Sequence, residues 1–227
     1  MSARYTLCFW NTLCNFESMT HKIKFILIFL SVLTTKFVNG QSFEAHIKKG
    51  FEYHNLSQYQ LAVLEYTKAM HFDSTCTIPW NLRGDAKMDL CDYKGAILDF
   101  NRAIDIAPSE PTAYFKRGQA YSSLENFQAA LKDFDKVIAL NPKDADALYN
   151  RGLTKLKLDD AIGAITDCNR SVDLAPKDGE ALFNRGLSKF NTGDRVGACD
   201  DWKKAALKGH SEATKKVALI CNQKTEP

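Results

Sequence analysis

The stretch "ALYNRG" occupies residues 147–152, and "ALFNRG" occupies residues 181–186, 34 residues later. The two copies differ only in Tyr149 for Phe183. Working outward from the last residue of each copy, glycine recurs at Gly50, Gly84, Gly118, Gly152 and Gly186, always 34 residues apart. Each lies in a stretch of otherwise helical character. A glycine inside a helix costs roughly 1 kcal/mol against alanine, so five at one spacing need a packing reason. Twelve residues after each glycine stands an alanine: Ala62, Ala96, Ala130, Ala164 and Ala198. Small opposite small predicts two helices in close approach. Four residues after each alanine comes a larger residue: Tyr66, Phe100, Phe134, Cys168 and Trp202. Pro108, Pro142 and Pro176 close the three central units, because proline cannot continue a helix.

A 34-residue period with this pattern resembles the tetratricopeptide repeat, a helix–turn–helix unit. With glycine placed eighth, the repeats span 43–76, 77–110, 111–144, 145–178 and 179–210. The resemblance implies an all-α solenoid: a right-handed superhelix of helix pairs whose first helices line a concave groove that holds peptides. The end units depart from the pattern. Ser74 and His210 stand where the central units have proline. Ala161 and Arg195 replace the aromatic seen at Tyr59, Tyr93 and Phe127, which predicts looser packing in the last two repeats. After the fifth repeat, Ala213, Val217 and Ile220 share one helical face, and Ile220 stands where a sixth glycine would fall. Residues 211–222 therefore read as a capping helix, since each unit buries its apolar face only against a neighbour.

The chain has 227 residues and a formal net charge of +3. Residues 1–40 carry four basic side chains against one acidic, so the remaining 187 residues are balanced at 26 of each sign. A neutral body gives no electrostatic footprint for nucleic acid. The basic excess belongs to a segment from Met19, with His21, Lys22 and Lys24, then an apolar run from Phe25 to Leu33. Small residues follow, with Val38 and Gly40 placed for a cut before Gln41. This is the layout of a secretory signal peptide over 19–40. The apolar run is about half the roughly 20 residues that span a bilayer. Residues 1–18 match no part of such a signal and read as an over-extended start, with Met19 as the true one. The expected location is periplasmic or extracellular. The alternative is a membrane anchor through an uncleaved N-terminal segment.

Five of the seven cysteines lie beyond that segment. An odd number without a CxxC is neither a disulfide framework nor a zinc site. Most read as buried small hydrophobes, although Cys168, Cys199 and Cys221 fall on neighbouring elements and a disulfide among them is the alternative. No GxSxG, HExxH or P-loop is present, the histidines are scattered, and no catalytic residue, metal site or cofactor is expected.

Arg83, Arg117, Arg151 and Arg185 each precede a repeat glycine, and Asp99, Asp133, Asp167 and Asp201 follow them by sixteen residues. Repeat 1 keeps the signs with Lys49 and Glu65. Arginine suits a bidentate carboxylate partner, so these rows read as ion pairs of the stack rather than a ligand site.

Residues three before, one after and four after each glycine share a helix face. The groove implied by the resemblance then offers Phe115 from repeat 3, Tyr149 and Leu153 from repeat 4, and Phe183, Leu187 and Phe190 from repeat 5. Asn150 and Asn184 fall beside them and can both donate and accept hydrogen bonds to a bound backbone. The competing reading packs these aromatics against adjacent repeats. Relatives that clamp the C-terminal carboxylate of cytosolic chaperones use two basic groups and two asparagines across three repeats. No three-repeat window here has that set, so such a tail is not the expected partner. The expected function is a non-enzymatic protein-interaction scaffold, exported from the cytoplasm, that binds a protein or peptide segment in the groove. The alternative is a structural subunit of a larger envelope assembly that docks through its convex or terminal face.

Overall fold

The structure is a computed structural model describing residues 42–175 and 179–222. Residues 1–18, the segment 19–40 read as a signal peptide, and Pro176 lie outside the described residues. Helices run in pairs: α1 (42–55) with α2 (Tyr59–Phe72), and α3 (Thr77–Asp89) with α4 (Tyr93–Ile106). Next come α5 (Pro111–Ser123) with α6 (Phe127–Leu140), α7 (Ala145–Lys157) with α8 (Ala161–Leu174), and α9 (Gly179–Asn191) with α10 (Arg195–Leu207). A short α11 (Ser211–Lys216) continues as a π-helical turn over Val217–Cys221. No strand occurs among the described residues.

Local chemistry sets each hairpin. The turn residue before the second helix has positive φ in every unit: Ser57, Cys91, Glu125, Asp159 and Gly193. Only the last is glycine, so four L-residues hold the left-handed conformation that chirality disfavours. The next residue caps the second helix. Asp92, Asn126, Asp160 and Asp194 each accept a backbone N–H three residues on, satisfying a donor that the first turn would leave open. Repeat 1 has Gln58 there and makes no side-chain cap.

The nearest neighbour of each repeat glycine is the large residue sixteen positions on. A Cβ on Gly84 or Gly186 would overlap the ring of Phe100 or Trp202, and one on Gly118 would come within 2.8 Å of Phe134. The buried aromatic fills the space that the missing side chain leaves. Repeat 4 is the relaxed case, with Cys168 Sγ 3.0 Å from the same point on Gly152. The paired alanines Ala62, Ala96, Ala130, Ala164 and Ala198 are all fully buried.

Each predicted arginine–aspartate pair forms, always within its own repeat. Arg83 Nη2 lies 2.6 Å from Asp99, and Arg117, Arg151 and Arg185 repeat that distance on Asp133, Asp167 and Asp201, with Nε on the second oxygen. The remaining Nη1 reaches back one repeat, to Thr67, Asn101, Asp135 and Asn169 in turn. One guanidinium therefore ties a hairpin shut and staples it to its predecessor. Lys87, Lys155 and Lys189 add a second cation to Asp99, Asp167 and Asp201. In repeat 1, Glu65 takes His46 and Lys68 at 2.7 Å each, while Lys49 stands off at 3.8 Å.

The C-terminal end closes differently from the cysteine reading. Cys199 and Cys221 form a disulfide that pins the cap to α10, and only Cys168 of the three is a buried free thiol. Burial pushes the Cys168 thiol up to about 12, so it stays protonated. Arg195, the substituted aromatic position, donates to the Ile220 carbonyl; the departure from the pattern serves the cap.

Candidate interaction groove

First helices of successive repeats touch one another (α3 with α5, α5 with α7, α7 with α9), whereas no pair of second helices among the described residues makes a comparable contact. The first helices therefore form the inner, concave side of the curve. Polar bridges cross it. His54 Nε2 lies 2.6 Å from Asp89, and Lys116 pairs with Asp85. Burial raises the Asp85 carboxyl, against the opposing pull of Lys116. Farther along, α7 and α9 are bridged by a neutral hydrogen bond: the Asn184 amide donates to the Tyr149 hydroxyl at 3.0 Å.

The eight groove residues separate once placed. Phe115 is half-buried, edge-on to Phe134 with ring centroids 5.9 Å apart. It lines a cleft of about 180 Å³ with Pro111, Thr112, Val137, Asp144 and Asp146. Asn150 and Leu153 line a second cleft of about 280 Å³ between repeats 3 and 4, with Ser122, Phe127 and Lys157 among its walls. The Asn150 amide donates to the Asp146 carbonyl on its own helix. Phe190 is 38% exposed and leans on Trp202, with centroids 5.5 Å apart.

Phe183 and Leu187 pack instead into the C-terminal cluster around Leu182 and Trp202. The Phe183 ring stacks on His210 at 4.3 Å, and Asn184 is only 4% exposed. The cap accounts for the placement of Phe183, because His210 stands directly before α11 and brings its ring onto Phe183. Two residues that sequence reading passed over stand at the first cleft, Asp144 and Asp146. The available signal was periodic: carboxylates also occupy the equivalent positions one repeat away, at Glu110 and Glu180.

The histidines point to separate partners, His46 to Glu65 and His54 to Asp89. No helix among the described residues is long and apolar enough to cross a membrane.

Profiles described as tetratricopeptide repeat match residues 88–149 and 134–166. No curated protein matches the chain. Among solved structures, MamA superposes with a TM-score of 0.67 at 24% identity, over 80% of this chain and 99% of that one. YrrB, described as a TPR protein with an unusual peptide-binding site, gives 0.65 at 20% identity over 77% and 91%. PilF of Pseudomonas aeruginosa gives 0.68 at 15% identity over 75% and 78%. At these identities the likeness concerns the fold. The 34-residue period, the paired helices and the profile matches agree: residues 88–166 carry tetratricopeptide repeats, and the described chain has the tetratricopeptide-repeat fold.

Proposed function

We propose that this protein is a non-enzymatic interaction scaffold, exported from the cytoplasm, that holds an extended or helical partner segment in its concave groove. The observation that carries this reading is the division of labour between two rows of side chains. The arginine row is consumed by its own aspartates, so it offers no anion site. The first-helix face keeps two open clefts and partly exposed apolar side chains at Phe115, Leu153 and Phe190. Apolar clefts with a few polar groups at the edge are the usual form of a binding site. YrrB supports the reading by analogy, through the peptide-binding site in its description. Export rests on the layout of residues 19–40, and the disulfide between Cys199 and Cys221 fits an oxidising compartment.

The test is peptide capture by wild type, Phe115→Ala and Leu153→Asp, with helix content checked by circular dichroism. Loss of capture in folded variants supports the groove. Capture unaffected by either change points to another face.

One observation favours a second reading, a structural subunit docked through its convex side. Ile162 and Val196, one repeat apart on second helices, are 75% and 76% exposed. An Ile162→Lys, Val196→Lys double variant that loses assembly but keeps peptide capture would select it.

A further inference from the structure

We propose that the cleft walled by Phe115 and Val137 is a subsite for one lysine or arginine side chain of the segment held in the groove. This rests on the groove reading above. The cleft measures about 180 Å³, somewhat more than the roughly 150 Å³ that admits benzene. That is room for one side chain and not for a helix. Its walls are apolar: Pro111, the half-buried Phe115 and the fully buried Val137. Its other lining residues include two carboxylates, Asp144 and Asp146. Lysine and arginine have this form, an aliphatic stem that packs on apolar surface and a cationic head that seeks a polar partner.

The charge at the cleft is uncompensated, unlike that of the buried aspartates. Asp133 and Asp167 are each gripped by an arginine. Among the described residues, neither Asp144 nor Asp146 forms an ion pair, and Lys143 pairs with neither. Asp144 Oδ1 accepts the Ala147 N–H at 2.9 Å as the cap of α7. That bond leaves its second oxygen for a ligand. Glu110 adds a third negative charge beside the cleft, where its carboxylate accepts the Thr112 hydroxyl. Acidic residues at a helix start also complement the helix dipole. That accounts for their sign, but not for the apolar cavity that they share with Phe115. A cation seated there would meet two carboxylates over a low-dielectric floor, where charge-assisted hydrogen bonds are strong.

The experiment selects a random twelve-residue peptide display library on immobilised wild-type protein at low salt. Retained sequences are then synthesised with norleucine in place of the basic residue. Enrichment of lysine or arginine beside an apolar residue is expected, with about tenfold weaker binding of the norleucine peptide. Asp146→Asn should weaken the parent peptide to a similar degree, Asp146→Glu should largely restore it, and the norleucine peptide should not distinguish the three proteins. Retained peptides without basic enrichment, or equal binding of the norleucine form, overturn the subsite while the groove stands. Leu153→Asp serves as the groove control. If it leaves capture intact, or if wild type retains nothing, the groove reading fails and the subsite falls with it.

Discussion

Arg151 grips Asp167 with two nitrogens, Nε to Oδ2 at 2.8 Å and Nη2 to Oδ1 at 2.6 Å. Its third nitrogen, Nη1, reaches Asp135 of the preceding repeat at 2.8 Å. Asp167 also holds Lys155, at 2.7 Å, whereas Asp133 holds Arg117 without a lysine. Removing one partner of a buried pair leaves the other charge uncompensated, at a cost of about 3–5 kcal/mol. Asp133→Asn should therefore destabilise clearly, since it leaves Arg117 with no carboxylate, and Asp167→Asn should destabilise less, since it strands Lys155 while Arg151 keeps Asp135. Urea unfolding followed by circular dichroism checks the order. Equal stability of Asp133→Asn and wild type would show that the pair contributes nothing.

The five repeat glycines should not respond alike to alanine. At Gly186 a new methyl overlaps the Trp202 ring, while at Gly152 it meets Cys168 Sγ at 3.0 Å. Overpacking costs roughly 1–3 kcal/mol, against a helix-propensity gain of about 1 kcal/mol. Gly186→Ala should lower the melting temperature, and Gly152→Ala should leave it nearly unchanged. Thermal melts of the two variants side by side decide this.

Glu125 holds φ of +57° in the turn between α5 and α6. Glycine adopts that conformation without the Cβ clash, worth roughly 1–2 kcal/mol, but loses more backbone entropy on folding. Glu125→Gly should gain a net stability of about 0.5–1 kcal/mol, read as a higher unfolding midpoint in urea. A lower midpoint would show that the turn relaxes around glutamate.

Burial alone would raise the Asp201 carboxyl, but hydrogen bonds from Arg185 and Lys189 outweigh it and hold the group below its ordinary value. Its stabilising contribution is complete above the unfolded aspartate value of about 3.9. It is lost as pH falls through the lower folded value. Wild type should lose stability on acidification below about pH 4, and Asp201→Asn should be less stable at neutral pH with a shallower acid decline. Melting temperatures between about pH 7 and about pH 3 measure both slopes.

Cys199 and Cys221 are 22 residues apart, and closing a loop of that size stabilises by about 3 kcal/mol in the chain-entropy account. Cys221→Ser should lower stability by up to that amount, with the loss concentrated at the C-terminal end. Hydrogen exchange at Ala213 and Val217 should quicken while that at Ala96 and Ala130 stays slow. Uniform loss across the chain would mean that the cap is coupled to the whole stack.

Much of the hairpin was legible because its determinants are local. A fixed offset of sixteen residues across one short turn brings Arg83 to Asp99, so the pairing follows from the repeat itself. The glycine's true neighbour was less legible. Gly84 is twelve residues from Ala96 and sixteen from Phe100, and both offsets recur in every unit. Only the relative rotation of the two helices makes the ring the nearest neighbour of Gly84.

By itself, then, the sequence determined the period, the paired helices, the matched rows of arginine and aspartate and the place where the stack ends. These depend on contacts across one turn and recur in unit after unit. The tertiary structure decided which inner-face residues remain open. Phe115 and Phe183 hold equivalent positions, yet one lines a cleft and the other lies under His210. Asn150 and Asn184 are likewise equivalent, yet Asn184 is buried against Tyr149. For Phe183 the difference is the cap in place of a further repeat; for Asn184 it is the Tyr149 hydroxyl on the preceding repeat, which Phe115 lacks at the equivalent position before Asn150. A repeating pattern specifies the face of a helix but not the size and shape of the side chains that cover it.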